Sequence, residues 1–188
     1  MSSLDNGKYL ERLIAKKISK WLSDGKREDV IVRQSMLGRM IECLFGDLSQ
    51  NPKLPDQWKP LGVWFMKTFI VDTKNRADFR LPAILTQCAH PIWEWWDKLS
   101  ENGARSGGKK CLLVLLDKTA HSHTLIIGPK ERAWLLDELG PIPVPYFELK
   151  FPGEKLVELT LFNFDYFLKW ADPITLGCPD LTKSNLLV

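Results

Sequence analysis

Two aspartates and a lysine are the residues best placed to do chemistry: Asp47 in "FGDLS", and Asp72 and Lys74 in "FIVDTKNR". Asp72 and Lys74 flank Thr73 at the end of an apolar run suited to a buried strand, so their side chains leave that strand on one side. A carboxylate and an ammonium satisfy each other's charge, and a structural ion pair would use them equally well. Asp47, separated from Asp72 by 24 residues, adds a second carboxylate from a turn after Gly46. Hard divalent cations such as Mg²⁺ or Mn²⁺ take a few carboxylate oxygens together with water and phosphate. Lys74 would then stand beside the attacking water, where an ammonium can orient it for in-line attack on a phosphodiester.

The elements that must position these residues are legible from apolar periodicity. From Lys8 to Leu22 the residues Leu10, Leu13, Ile14, Ile18, Trp21 and Leu22 follow helical spacing, with Gly25 available as a C-terminal cap. "VIVRQ" reads as a short strand, and the mixed segment from Ser35 to Pro60 as a loop or hairpin around its "GD". "LGVWFMKTFIVDTK" is rich in aromatic and β-branched residues and predicts one central strand that ends in Asp72 and Lys74. "RLPAILTQCAHPIWEWWDKLSENGARSGG" predicts a helix in two pieces, interrupted by Pro91 and ended by glycines. "CLLVLLD" and "HTLIIG" predict strands, "PKERAWLLDEL" a helix with Pro in its first turn, and "PYFELKF" and "LVELTLF" further strands before a helix near Phe164 to Trp170. This order predicts an α/β domain with a central mixed sheet flanked by helices.

Composition agrees with one domain. The 188 residues include 45% hydrophobic and 26% charged residues, the balance of an ordinary globular chain and not of a disordered one. A net charge of +3 permits nucleic-acid binding without requiring it. The four cysteines are far apart with no CxxC pair, which argues against a zinc knuckle or a redox motif and for reduced thiols in a cytosol. The start of the chain lacks a signal-peptide pattern, and no run approaches the eighteen apolar residues of a membrane span, so neither routine secretion nor membrane insertion is expected.

Five motifs occur in a telling order: "KYLERLIAKKISKWL", "FGDL", "FIVDTKNR", "PIWEWWDKL" and "CLLVLLD". Together they resemble the PD-(D/E)XK nuclease superfamily, which includes restriction endonucleases and Holliday-junction resolvases, and more narrowly its small phage-encoded endonucleases. The resemblance covers about residues 8 to 128. It implies a restriction-endonuclease-like core within a single domain spanning residues 1–171, with residues 129–171 as a C-terminal extension and 172–188 as a tail. It also implies a Mg²⁺- or Mn²⁺-dependent endonuclease acting on DNA, whether duplex, branched or single-stranded, in the cytoplasm of a bacterial host, with a homodimer as a common arrangement. By the same resemblance Asp47, Asp72 and the carbonyl of Thr73 would hold the metal, Lys74 would be the catalytic lysine, and Glu11 would reach toward the site as an auxiliary ligand or orienting group. Lys74, Arg76 and Arg80 would be the phosphate contacts.

Three departures from the family pattern matter. Asp72 stands where a glutamate is usual, one methylene longer. Lys98 follows "WW" where relatives tend to carry glutamine, and "SMLGRMIEC" before "GD" is more apolar than the family's loop. The first two favour an alternative reading, a catalytically weak nuclease-fold module that binds DNA or a protein partner. A third is that the likeness is coincidental and Asp72 and Lys74 form a structural pair.

Other residues invite blander readings. Trp93, Trp95 and Trp96 are expected mainly in the core, with base stacking the lesser alternative. His121 and His123 in "HSH" lack a third ligand and are read as surface or strand-edge residues. The apolar stretch from Phe147 to Trp170 lies beyond the resemblance and is expected to form an interface or an added substrate-binding element.

Overall fold

The structure, a computed structural model, describes residues 3–34, 46–75, 91–117, 122–151 and 157–181. Helix α1, Ser3–Leu22, leads through a turn to strand β1, Ile31–Arg33. The turn is capped as its glycine suggests: the Gly25 N–H donates to the Lys20 carbonyl at 2.7 Å, and Gly25 has φ of 76°. Strand β2, Leu48–Gln50, pairs antiparallel with β1, placing Arg33 opposite Leu48. A 3₁₀ turn at Asp56–Trp58 then opens helix α2, Lys59–Thr68, which runs directly into strand β3, Phe69–Lys74.

The long strand expected over "LGVWFMKTFIVDTK" is therefore half helix, and only its last six residues are extended. Burial explains the difference. Leu61 and Phe65 are buried four residues apart, whereas Val63 and Lys67 are exposed, which is a helical period and not an alternating one. Pro60 fits the first turn of the helix, where no N–H is needed.

After β3 come helix α3, Ile92–Arg105, strands β4, Lys110–Asp117, and β5, Ser122–Ile127, helix α4, Pro129–Leu139, strands β6, Tyr146–Phe151, and β7, Val157–Asn163, and helix α5, Phe164–Trp170. The fold is α/β, with a five-stranded mixed sheet in the order β3-β4-β5-β7-β6. β3 and β4 are parallel, as a crossover through α3 requires, and the remaining pairs are antiparallel. β3 and β6 are thus the two outer strands among those described.

Side chains alternate across this sheet into two apolar layers. Val71, Leu112, Val114, Leu125 and Ile127 pack with α1, α2, α4 and α5, and Ile70, Leu113, Leu115 and Ile126 pack with Ile92, Trp96 and Leu99 of α3. Both faces of the central strands are covered, which accounts for the unbroken apolar run of "CLLVLL". Trp96 is buried and Trp93 and Trp95 pack partly buried against the same layer, in keeping with their reading as core. Beyond residue 171, Leu176 and Cys178 join the first layer, so the stretch read as the start of a tail contributes to the core. No helix among the described residues is long and apolar enough to cross a membrane.

Candidate metal centre

Strand β3 is gripped at its root and charged at its tip. Phe69 is buried, with Phe65, Trp64, Trp134 and Trp21 ring centroids 5.2 to 6.4 Å away. Ile70 and Val71 are also buried, so the strand has little freedom to move when it emerges at Asp72, Thr73 and Lys74.

Asp47 reaches this tip through a single bridge. Gly46 pairs in parallel with Val71, and the Asp47 N–H donates to the Val71 carbonyl at 2.8 Å. On its other side the Asp47 carbonyl accepts from the Gln34 N–H at 2.9 Å, which ties it to the end of β1. Its carboxylate oxygen Oδ2 accepts from the Thr73 N–H at 2.8 Å and from the Thr73 hydroxyl at 3.1 Å. Gly46 is required here: its φ is 71°, and a Cβ would lie 2.3 Å from the Val71 carbonyl oxygen. "GD" is therefore one unit, a glycine that permits the approach and an aspartate that uses it.

Asp72 and Lys74 form the pair that their spacing predicts. Lys74 Nζ is 2.7 Å from Asp72 Oδ1 and 2.6 Å from Oδ2, with both side chains largely buried. Burial, and then the charge of the neighbouring Asp47, push the Asp72 carboxyl up to about 7, with Lys74 pulling the other way. Two carboxyl groups thus share one desolvated corner with the Lys74 ammonium.

That corner suits a divalent cation by the chemistry of its donors, since Mg²⁺ and Mn²⁺ favour carboxylate and carbonyl oxygens and relieve the repulsion that raises Asp72. The Thr73 N–H leaves β3 toward Asp47, and the carbonyl of an extended residue leaves on the same side, so the Thr73 carbonyl also faces that edge. Asp47, Asp72 and Thr73 are brought together.

Glu11 is buried on α1 and forms an ion pair with Arg33, the residue before Gln34. Among the described residues no three His, Cys, Asp or Glu side chains converge into a metal-holding group. Glu11 is therefore not assembled with Asp47 and Asp72 as a third carboxylate. Lys98 is exposed on α3. Arg76 and Arg80, expected as phosphate contacts, and His121 lie outside the described residues.

His123 corrects its reading as a surface or strand-edge residue. It lies in β5, an interior strand, and is only 7% exposed. Its Nδ1 is 3.3 Å from Lys17 Nζ and 3.8 Å from an Asp165 carboxylate oxygen. Burial, and then Lys17, hold its pKa below the usual histidine value, so the neutral ring accepts from Lys17. The residues that sequence reasoning missed are Arg33 and Gln34; "VIVRQ" reads as a strand, but nothing in it shows that the strand ends against Asp47.

The chain matches no family model, and neither a curated protein nor a solved structure matches it.

Proposed function

We propose that the protein is a divalent-cation-dependent endonuclease that hydrolyses DNA phosphodiester bonds. The observation that carries this reading is the meeting of Asp47 with Asp72 beside Lys74, in a corner where burial and Asp47 push the Asp72 carboxyl up to about 7. An isolated structural pair needs only Asp72 and Lys74. The second carboxylate accepts from Thr73 in a way that a neutral amide could match, and the repulsion its charge adds is what an ion would turn to use.

Asp47, Asp72 and the Thr73 carbonyl would hold Mg²⁺ or Mn²⁺, which when bound supplies positive charge against the phosphate and its attacking water. The chain's own residues do the rest. Thr73 fixes the rotamer of Asp47 through two hydrogen bonds. Lys74 sets its Nζ beside the Asp72 carboxylate, where it would orient water and offset charge that builds on the phosphate. The aromatic packing around Phe69 keeps the strand tip from yielding.

Alanine at Asp72 or at Lys74 tests the proposal: both variants should fold and lose Mg²⁺-dependent cleavage of DNA. Undiminished cleavage by both would sink it. The alternative, a nuclease-fold module that binds DNA or a protein without cutting, draws support from the mutual neutralisation of Asp72 and Lys74 and from the commitment of Glu11 to Arg33. Calorimetric titration with Mn²⁺ separates the two, since a module retains DNA binding with no heat of cation binding.

A further inference from the structure

We infer that the outer strand β6 is a self-association surface, through which two copies of the chain join antiparallel into one continuous sheet of twice the width. This does not depend on the reaction assigned to the carboxylate corner, which lies on the opposite outer strand, β3.

β6 leaves one row of backbone N–H and C=O groups unpaired with any described strand, the condition under which a sheet adds another strand. Its sequence, "YFELKF", is strongly β-forming, free of proline and of zero net charge. It also exposes apolar surface: Phe147 is 54% and Tyr146 41% exposed. Edge strands are ordinarily protected by charged side chains, proline, bulges or a covering element. Here the two charges have opposite signs, Glu148 and Lys150, and they flank Leu149 symmetrically.

That symmetry selects the occupant. An antiparallel pairing with its two-fold axis through Leu149 sets Glu148 opposite Lys150 of the second copy, and the reverse. Neighbouring charges extend the match, because Arg132 of α4 lies 2.5 Å from Glu148, and Glu158 of β7 lies 3.0 Å from Lys150. Across the joint the order becomes Arg132, Glu148, then Lys150 and Glu158 of the second copy, alternating in sign, and the two-fold axis repeats it. Glu148, Lys150 and their partners share one face of the sheet. Phe147 lies on the other face, where the partly open apolar layer continues past Leu149.

Sedimentation of the full-length chain across the micromolar range tests this, because a contact built on one six-residue strand is small and its affinity modest. The wild type should show a monomer–dimer equilibrium. Lys150→Glu and Glu148→Lys each place like charges opposite one another at both cross-strand positions, and each alone should weaken self-association about ten-fold. Mixed in equal amounts, the two variants complement each other at both positions, and association should return to near the wild-type value. Circular dichroism establishes that each variant is folded. A wild type that sediments as a monomer throughout, or folded variants that fail to rescue one another, would overturn the proposal.

Discussion

Asp47 uses one carboxylate oxygen to accept both the N–H and the hydroxyl of Thr73, the residue between Asp72 and Lys74. The two aspartates are thus held together by the backbone of the strand that carries one of them, and Asp72, while it keeps its proton, also hydrogen-bonds to Asp47. Each part of this arrangement has a measurable consequence.

Asp47→Ala should be more damaging to the fold than Asp47→Asn. The alanine leaves the Thr73 N–H without its acceptor in a largely buried place, a loss of about 1–3 kcal/mol, whereas the asparagine oxygen can still accept. Both should weaken Mn²⁺ binding about ten-fold or more, because each removes a ligand charge. Urea unfolding with chelator present and calorimetry with Mn²⁺ read the two effects separately. Equal affinity for Mn²⁺ in wild type and Asp47→Asn would remove Asp47 from the ligand set.

Stability without cation should depend on pH in an unusual direction. The Asp72 carboxyl is raised from 3.8 to about 7, so the folded state holds its proton more tightly than the unfolded state does. Stability from this group is fully present below the unfolded value, declines as pH rises from about 4 to about 7, and is gone above it. Ordinary ion-paired carboxylates behave in the opposite sense. Asp72→Asn should flatten this slope in melting experiments from pH 4 to 8 with chelator, and an unchanged slope would refute the assignment.

Gly46→Ala should destabilise the protein by about 1–3 kcal/mol, through left-handed backbone strain and the collision with the Val71 carbonyl. Gly25 also has positive φ but has open space around its Cβ position, so Gly25→Ala should cost less and leave Mn²⁺ affinity unchanged. If Gly46→Ala binds Mn²⁺ as the wild type does, the close approach at Gly46 is not what delivers Asp47.

Glu11→Gln should lower stability by about 1–3 kcal/mol, because it removes the carboxylate from its ion pair with a largely buried Arg33. Its effect on Mn²⁺ affinity should be much smaller than that of Asp47→Asn, as expected for a residue that pairs with Arg33. A loss of Mn²⁺ binding as great as at Asp47 would make Glu11 a ligand after all.

The strand tip was legible in the sequence because Phe69, Ile70 and Val71 are apolar on both faces and Asp72 follows them directly. "CLLVLLD" was legible for the same reason, and "LVELTLF" by the alternation of Leu159 and Leu161 with Glu158 and Thr160. The stretch from Lys59 to Thr68 was not: its aromatic and β-branched residues favour strands locally, and tertiary burial of Leu61 and Phe65 decides for helix. His123 misled because a histidine in a polar tripeptide says nothing of Lys17 and Asp165, which reach it from distant helices. At the site, "GD" and "DTK" were visible as separate motifs. Their meeting through Gly46 and Val71, and the ties to Gln34 and Arg33, are tertiary contacts that spacing along the chain does not encode.

The bridge between Gly46 and Val71 is isolated among the described residues. It can open on its own while β3 remains paired with β4 along six residues. The carboxylate pair therefore has an opening equilibrium separate from global unfolding, and hydrogen exchange should reveal it: the amides of Asp47 and Thr73 should exchange ahead of those in β4. A cation that binds only the closed arrangement would slow these two amides, and on the proposed reading the site would then be a latch whose closure can be followed proton by proton.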